Sequence, residues 1–107
     1  MLIREKDRLS LHKYFDEIKT PIEIWAYGSR VKGTAHEGSD LDLVIRTQNL
    51  QPFPIDEYNK LVETIRDSTI PILVEIRDWT RLPESFHKQI EKHYEVFYSN
   101  IHRSSNA

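Results

Sequence analysis

The sequence predicts an α/β (α+β) domain: a small mixed β-sheet flanked by helices, in the order α-β-α-β-α-β-α. Three observations carry this expectation. The stretches "IEIWAYG", "DLDLVIR" and "IPILVEIRDW" read as strands, through alternation or a wealth of β-branched residues. Apolar residues recur at helical spacing around and between them. The 107 residues hold no repeat, linker or low-complexity run, so one domain over residues 1–107 with one core is expected.

Taken in order, residues 5–19 read as a helix with Leu11, Tyr14, Phe15 and Ile18 on one stripe. Thr20-Pro21 ends it, because a residue before proline avoids helical geometry. The first strand then puts Ile22, Ile24 and Ala26 on one face and Glu23, Trp25 and Tyr27 on the other. Gly28 breaks the strand, Ser29 can cap the short helix "SRVK", and Gly33 stops that helix. After the loop "TAHEGS" comes the second strand, residues 40–46, and then the proline-bearing connection "TQNLQPFPI". Ile55, Tyr58, Leu61, Val62 and Ile65 space a second long helix over residues 55–67. The third strand sets Leu73, Glu75 and Arg77 on one face against Ile72, Val74 and Ile76. A last helix starts near Pro83, a good first-turn residue, with Phe86, Ile90, Tyr94 and Phe97 as its apolar face. Residues 99–107 are polar and expected to be a flexible tail.

Composition narrows the function. Cysteine is absent, which rules out disulfides and thiolate metal sites and fits a reducing, cytoplasmic location. The apolar runs are too short to span a membrane, and "MLIREKDRLSLHK" is too charged for a secretory signal. A formal net charge of -2, with the signs interspersed, argues against gripping a phosphate backbone, so neither nucleic acid nor membrane is an expected partner. His12, His36, His87, His93 and His102 show no zinc spacing.

The stretch "AYGSRVKGTAHEGSDLDLVI", residues 26–45, concentrates the chemistry. Asp is depleted in strands, yet Asp40 and Asp42 sit in one, two positions apart and so on one face. Such carboxylates repel and raise each other's pKa. A hard divalent cation, Mg²⁺ or Mn²⁺, relieves this and commonly keeps room for substrate phosphates. Upstream, Gly28 and Ser29 sit where a strand gives way to a helix, a place where backbone N–H groups suit an anion. Arg30 and Lys32 add positive charge beside it. Residues 36 and 37 (His36, Glu37) lie in the loop between these two halves.

"GSRVKGTAHEGSDLDL" resembles the signature of the polymerase-β-type nucleotidyltransferase superfamily: Gly-Ser, a short spacer, then Asp-x-Asp. The fuller form, Gly-Ser-Arg-x-x-Gly followed by Ser-Asp-Leu-Asp-Leu, is similar to the minimal nucleotidyltransferases (MNT), small prokaryotic proteins that pair with a HEPN-domain partner. The resemblance implies a nucleotidyltransferase fold. It also implies an ATP triphosphate on Gly28 and Ser29, aided by Arg30 and Lys32, and two magnesium ions on Asp40 and Asp42. Family members carry a third acid on the next core strand. Here Glu75 takes that position, as a metal ligand or as the acceptor of the attacking hydroxyl's proton, although aspartate is the commoner residue there. Asp78 competes but has the wrong parity. The implied reaction is transfer of AMP from ATP to a tyrosine hydroxyl of a HEPN-domain RNase toxin, with this chain as the antitoxin. Two other readings stand beside it: a binding module that neutralises the partner by docking, which the glutamate at 75 keeps open, and a transferase acting on a small molecule.

Overall fold

In the computed structural model, residues 1–36 and 38–101 are described; the expectations for Glu37, for His102 and for the rest of the tail, residues 102–107, lie outside them. The elements are α1 (Glu5–Phe15), β1 (Ile22–Tyr27), α2 (Ser29–Lys32), β2 (Leu41–Thr47), α3 (Ile55–Arg66), β3 (Val74–Asp78), a 3₁₀ turn (Trp79–Arg81), α4 (Glu84–Lys92) and β4 (Glu95–Ser99). The sheet has four strands in the order β3-β2-β1-β4. β1 runs antiparallel to both β2 and β4, whereas β2 and β3 are parallel. A tight α2-and-loop connection makes the first pairing antiparallel; the longer crossover through α3 permits the parallel one. The mixed sheet was the expectation.

Alternation along β1 and β2 does what the sequence promised. Ile22, Ile24, Ala26, Leu41, Leu43 and Ile45 are fully buried on one face. There they meet Leu11 and Phe15 of α1 and Leu61 and Ile65 of α3. The opposite face carries a smaller cluster of Trp25, Tyr27, Val44, Trp79 and Ile90, covered by the 3₁₀ turn and α4. Trp79 packs the last helix, stacking on His87 with centroids 3.9 Å apart. Asp78 is a capping residue: its carboxylate accepts from the Thr80 backbone N–H at 2.9 Å and from that of Phe53 at 3.0 Å.

The C-terminal region corrects the expectation of one long final helix. α4 ends at Lys92, His93 turns to φ -158°, and Glu95–Ser99 forms a fourth strand against β1. Phe86, Ile90, Tyr94 and Phe97 happen to share a helical period, but "EVFY" is rich in β-formers, and an open edge of β1 was waiting for it. Tyr94 stacks on Trp25 at 3.9 Å instead of continuing the helical stripe, and Phe97 enters the main core. The expected tail begins too early as well, since Ser99 closes β4 and Asn100 is buried. The Asn100 side chain accepts from the Ile22 N–H at 2.7 Å and donates to the carbonyls of Thr20 at 3.1 Å and Ile18 at 3.3 Å. It thereby fixes the chain where α1 hands over to β1. Asn100→Ala is expected to cost about 2–3 kcal/mol, since it orphans buried backbone groups, as a urea titration would read.

Candidate active site

Strand register assembles the site. Tyr27 pairs with Asp42 across β1 and β2, and Asp42 pairs with Glu75 across β2 and β3. Directly opposed residues share a face, so Tyr27, Asp42 and Glu75 form one row across three strands. α4 covers the tryptophan end of this face and reaches Tyr27 through Phe86, whose ring meets it edge-on at 5.9 Å. Asp42 remains half-buried and Glu75 more open. Asp40 is exposed and lies just before β2 rather than inside it, a correction of the strand's expected start.

The three acids act on one another. Burial, then the charge of Glu75, then that of Asp40 raise the Asp42 pKa above its ordinary 3.8, with Arg77 pulling the other way. Glu75 accepts a 2.8 Å hydrogen bond from Arg77, two residues along the same strand face. This is the pairing that the alternation of β3 allowed. Tyr27 closes the row; its pKa is pushed up to about 12, chiefly by burial, and its hydroxyl lies beside Arg77 without a hydrogen bond of regular geometry. The part played by Tyr27 and Arg77 was not legible, because it depends on a register that only the folded sheet defines. A groove of about 520 Å³ between α3 and β3 is lined in part by Tyr58, Ile72 and Val74 and also by Glu75 and Arg77.

Gly28 stands against Asp42. Its φ of 81° and ψ of -159° are open to glycine alone, and a Cβ there would meet the Asp42 Oδ2 at 2.5 Å. Gly28, not Ser29, holds the cap position of α2; its carbonyl accepts from the N–H groups of Val31 and Lys32 at 3.1 and 3.0 Å. Ser29 is the first helical residue and half-exposed, and Lys32 is exposed at the last position. Gly33 ends α2 in the left-handed region, as expected. The notch and the carboxylate pair, ten or so residues apart in sequence, are thus neighbours in space.

Arg30 is a correction. It is only 5 % exposed, and its guanidinium donates from Nε and Nη2 to the Ser39 carbonyl at 3.0 and 2.7 Å and from Nη1 to the Leu2 carbonyl at 2.7 Å. These bonds turn it inward, away from the phosphate-facing role that its position beside Gly28-Ser29 suggested. A four-residue helix gives no sequence period from which to tell its inner face.

Among the described residues, no three acidic, histidine or cysteine side chains are already drawn together into a metal cage. The donor set still fits a hard cation. Asp40, Asp42 and Glu75 offer oxygen only, and the charge of Arg77 only partly offsets what Glu75 and Asp40 impose on Asp42, so the set suits a hard cation that keeps positions for phosphate oxygens.

The model for the polymerase beta nucleotidyltransferase domain matches residues 10–103. The chain belongs to that family. A Haemophilus influenzae protein named "Probable protein adenylyltransferase MntA" is 40% identical over 73 residues, covering 68% of this chain and 62% of that protein. The match therefore spans less than two thirds of that relative's own length. Among solved structures, a toxin–antitoxin complex with AMP-PNP superposes with a TM-score of 0.67 at 16% identity, covering 95% of this chain and 79% of the other. The MNT antitoxin complex with a tri-AMPylated Shewanella oneidensis HEPN toxin gives a TM-score of 0.65 at 12% identity, covering 96% and 78%. At such identities the two structures speak for the fold, which this family member shares with them. No helix among the described residues is long and apolar enough to cross a membrane.

Proposed function

We propose that this nucleotidyltransferase-family chain is an antitoxin that transfers AMP from ATP to a tyrosine hydroxyl of a HEPN-domain toxin, acting as one domain in the cytoplasm. The observation that carries this reading is the row Tyr27–Asp42–Glu75 running up to the Gly28 notch. The similarity to a protein named as an adenylyltransferase, and the fold shared with antitoxins solved beside their toxins, point to ATP and to a protein acceptor.

In this reading the nucleotide's phosphates lie against the backbone of Gly28 and Ser29, where β1 gives way to α2, with Lys32 supplying charge from the exposed end of α2, and the missing Gly28 Cβ lets the Asp42 carboxylate stand close beside them. Asp40, Asp42 and Glu75 would hold magnesium, or manganese in its stead, which when bound supplies charge neutralisation for the phosphates and an activated acceptor oxygen. Glu75 adjoins the groove along β3, so a hydroxyl arriving there meets a carboxylate able to take its proton. Arg77 donates to that carboxylate at 2.8 Å and so fixes where it stands on the strand face. Tyr27 and Phe86 wall the site and limit water on that side. Positioning and charge account for most of the rate in such phosphoryl chemistry.

The test is direct. The chain is incubated with labelled ATP, magnesium and a HEPN protein encoded beside it. Label on a partner tyrosine, lost in Asp40→Asn/Asp42→Asn, is the expected result. One observation favours the second reading, neutralisation by docking alone: the Glu75 carboxylate is engaged by Arg77. If the double variant neutralises the partner as well as the parent does, docking is the function.

A further inference from the structure

Asp40 is exposed and precedes its strand, so neither burial nor the ladder aims its side chain. The peptide groups on either side of it are nevertheless held. On the C-terminal side, the Leu41 N–H donates to the Leu73 carbonyl at 2.9 Å, tying the start of β2 to the approach of β3. On the N-terminal side, the Ser39 carbonyl accepts two N–H groups of Arg30. Ser39 is further fixed by its N–H to the His36 carbonyl at 3.0 Å and by its Oγ, which accepts the His36 N–H at 3.0 Å. Arg30 in turn is anchored through its third donor to the Leu2 carbonyl, while the Leu2 N–H returns a bond to the Arg30 carbonyl at 3.1 Å. A buried guanidinium with a fixed fork of donors thus joins α2, the N-terminal segment and the residue before Asp40.

We infer that Arg30 is a positioning residue for Asp40: it sets the direction of that carboxylate toward Asp42 by gripping the Ser39 carbonyl. This rests on the metal-binding reading of the acids given above. The reason is geometric. Asp40 has one peptide on each side to orient its Cα–Cβ bond, and Arg30 controls one of them. Lysine in its place is a point charge with no fork, so it cannot hold the Ser39 and Leu2 carbonyls with the same geometry. Groups hydrogen-bonded directly to a metal ligand typically carry 10–100-fold in metal affinity, and Arg30, one peptide removed, is set against the lower end of that range.

The test is a two-by-two cycle of Arg30→Lys and Asp40→Asn in the full chain. It is read by Mn²⁺ uptake with a non-hydrolysable ATP analogue, followed by electron paramagnetic resonance of the free ion, with thermal melting in parallel. Arg30→Lys is expected to weaken Mn²⁺ uptake about 10-fold or more while the chain still melts cooperatively. Placed on Asp40→Asn, it is expected to add no further loss, because both changes act through one carboxylate. If Arg30→Lys binds Mn²⁺ as the parent does, or if the two losses add, Arg30 serves the fold alone and the inference falls. If Arg30→Lys weakens uptake of the analogue in chelator, with no metal present, it is a phosphate ligand and the inference falls as well. If the parent itself takes up no Mn²⁺, the metal-binding reading fails first, an outcome distinct from the others. Should Arg30→Lys not fold, the same cycle is run with Arg30→Gln, whose amide is also a poor match for two carbonyls.

Discussion

Asp42→Asn is expected to melt at a higher temperature than the parent at neutral pH, while transferring at least about 100-fold less nucleotide. Both effects follow from one cause. Asp42 is ionised at a site where burial, Glu75 and Asp40 disfavour its charge, so its folded pKa lies above the ordinary 3.8. The folded state therefore binds this proton more tightly than the unfolded chain does. Stability from this group is present below about pH 3.8 and declines as pH rises through the folded value. Asparagine removes the charge and the decline, and also removes a ligand oxygen and its negative charge from the row. Melting curves from pH 3 to 8 in chelator check the first effect, the difference between parent and variant opening as pH rises. Added Mg²⁺ or Mn²⁺ should raise the parent's melting temperature and leave that of the variant almost unmoved. A variant less stable than the parent at pH 7, with transfer intact, would mean that Asp42 is an ordinary structural residue.

Gly28→Ala carries the second large effect. The residue has to adopt φ 81° and ψ -159°, a conformation L side chains avoid, and its new Cβ would sit 2.5 Å from the Asp42 Oδ2. The backbone strain alone costs on the order of 1–3 kcal/mol. Relief of the clash displaces the carboxylate that the proposed function makes a metal ligand, so a loss of about 100-fold or more in rate is expected beside the loss of stability. Gly33→Ala is the matched control. It too has a positive φ, 80°, but in the left-handed region and with nothing within 4 Å of the added carbon. It should cost about 1–2 kcal/mol and leave turnover within a few-fold of the parent. If the two variants lose activity equally, closeness to Asp42 is not what makes Gly28 matter.

The parts of this molecule that were legible are those governed by local periodicity. β1 and β2 alternate because each has a main-core face, and the helices α1 and α3 show their stripes for the same reason. Gly28 and Asp42 could be paired in thought because both flank strand ends in one short stretch. β4 was hidden because four apolar residues fell on a helical period that their strand neighbours did not share. The tie made by Asn100 depends on partners some 80 residues away, beyond any local pattern. Arg30 was misread for a related reason: its sequence neighbours are the phosphate notch, whereas its spatial neighbours are two carbonyls elsewhere in the chain. Tyr27 and Arg77 join the site only through strand register, which residue types alone do not specify.

The parallel pairing of β2 with β3 has a consequence for biosynthesis. Asp42 and Glu75 come together only after α3 has been made, has crossed over the sheet and has delivered the next strand into place. A chain still emerging from the ribosome, or one with α3 undocked, holds these two acids apart. If the proposed nucleotide site is right, uptake of ATP would report on finished folding, because anything that binds only the native state draws late intermediates toward it by mass action.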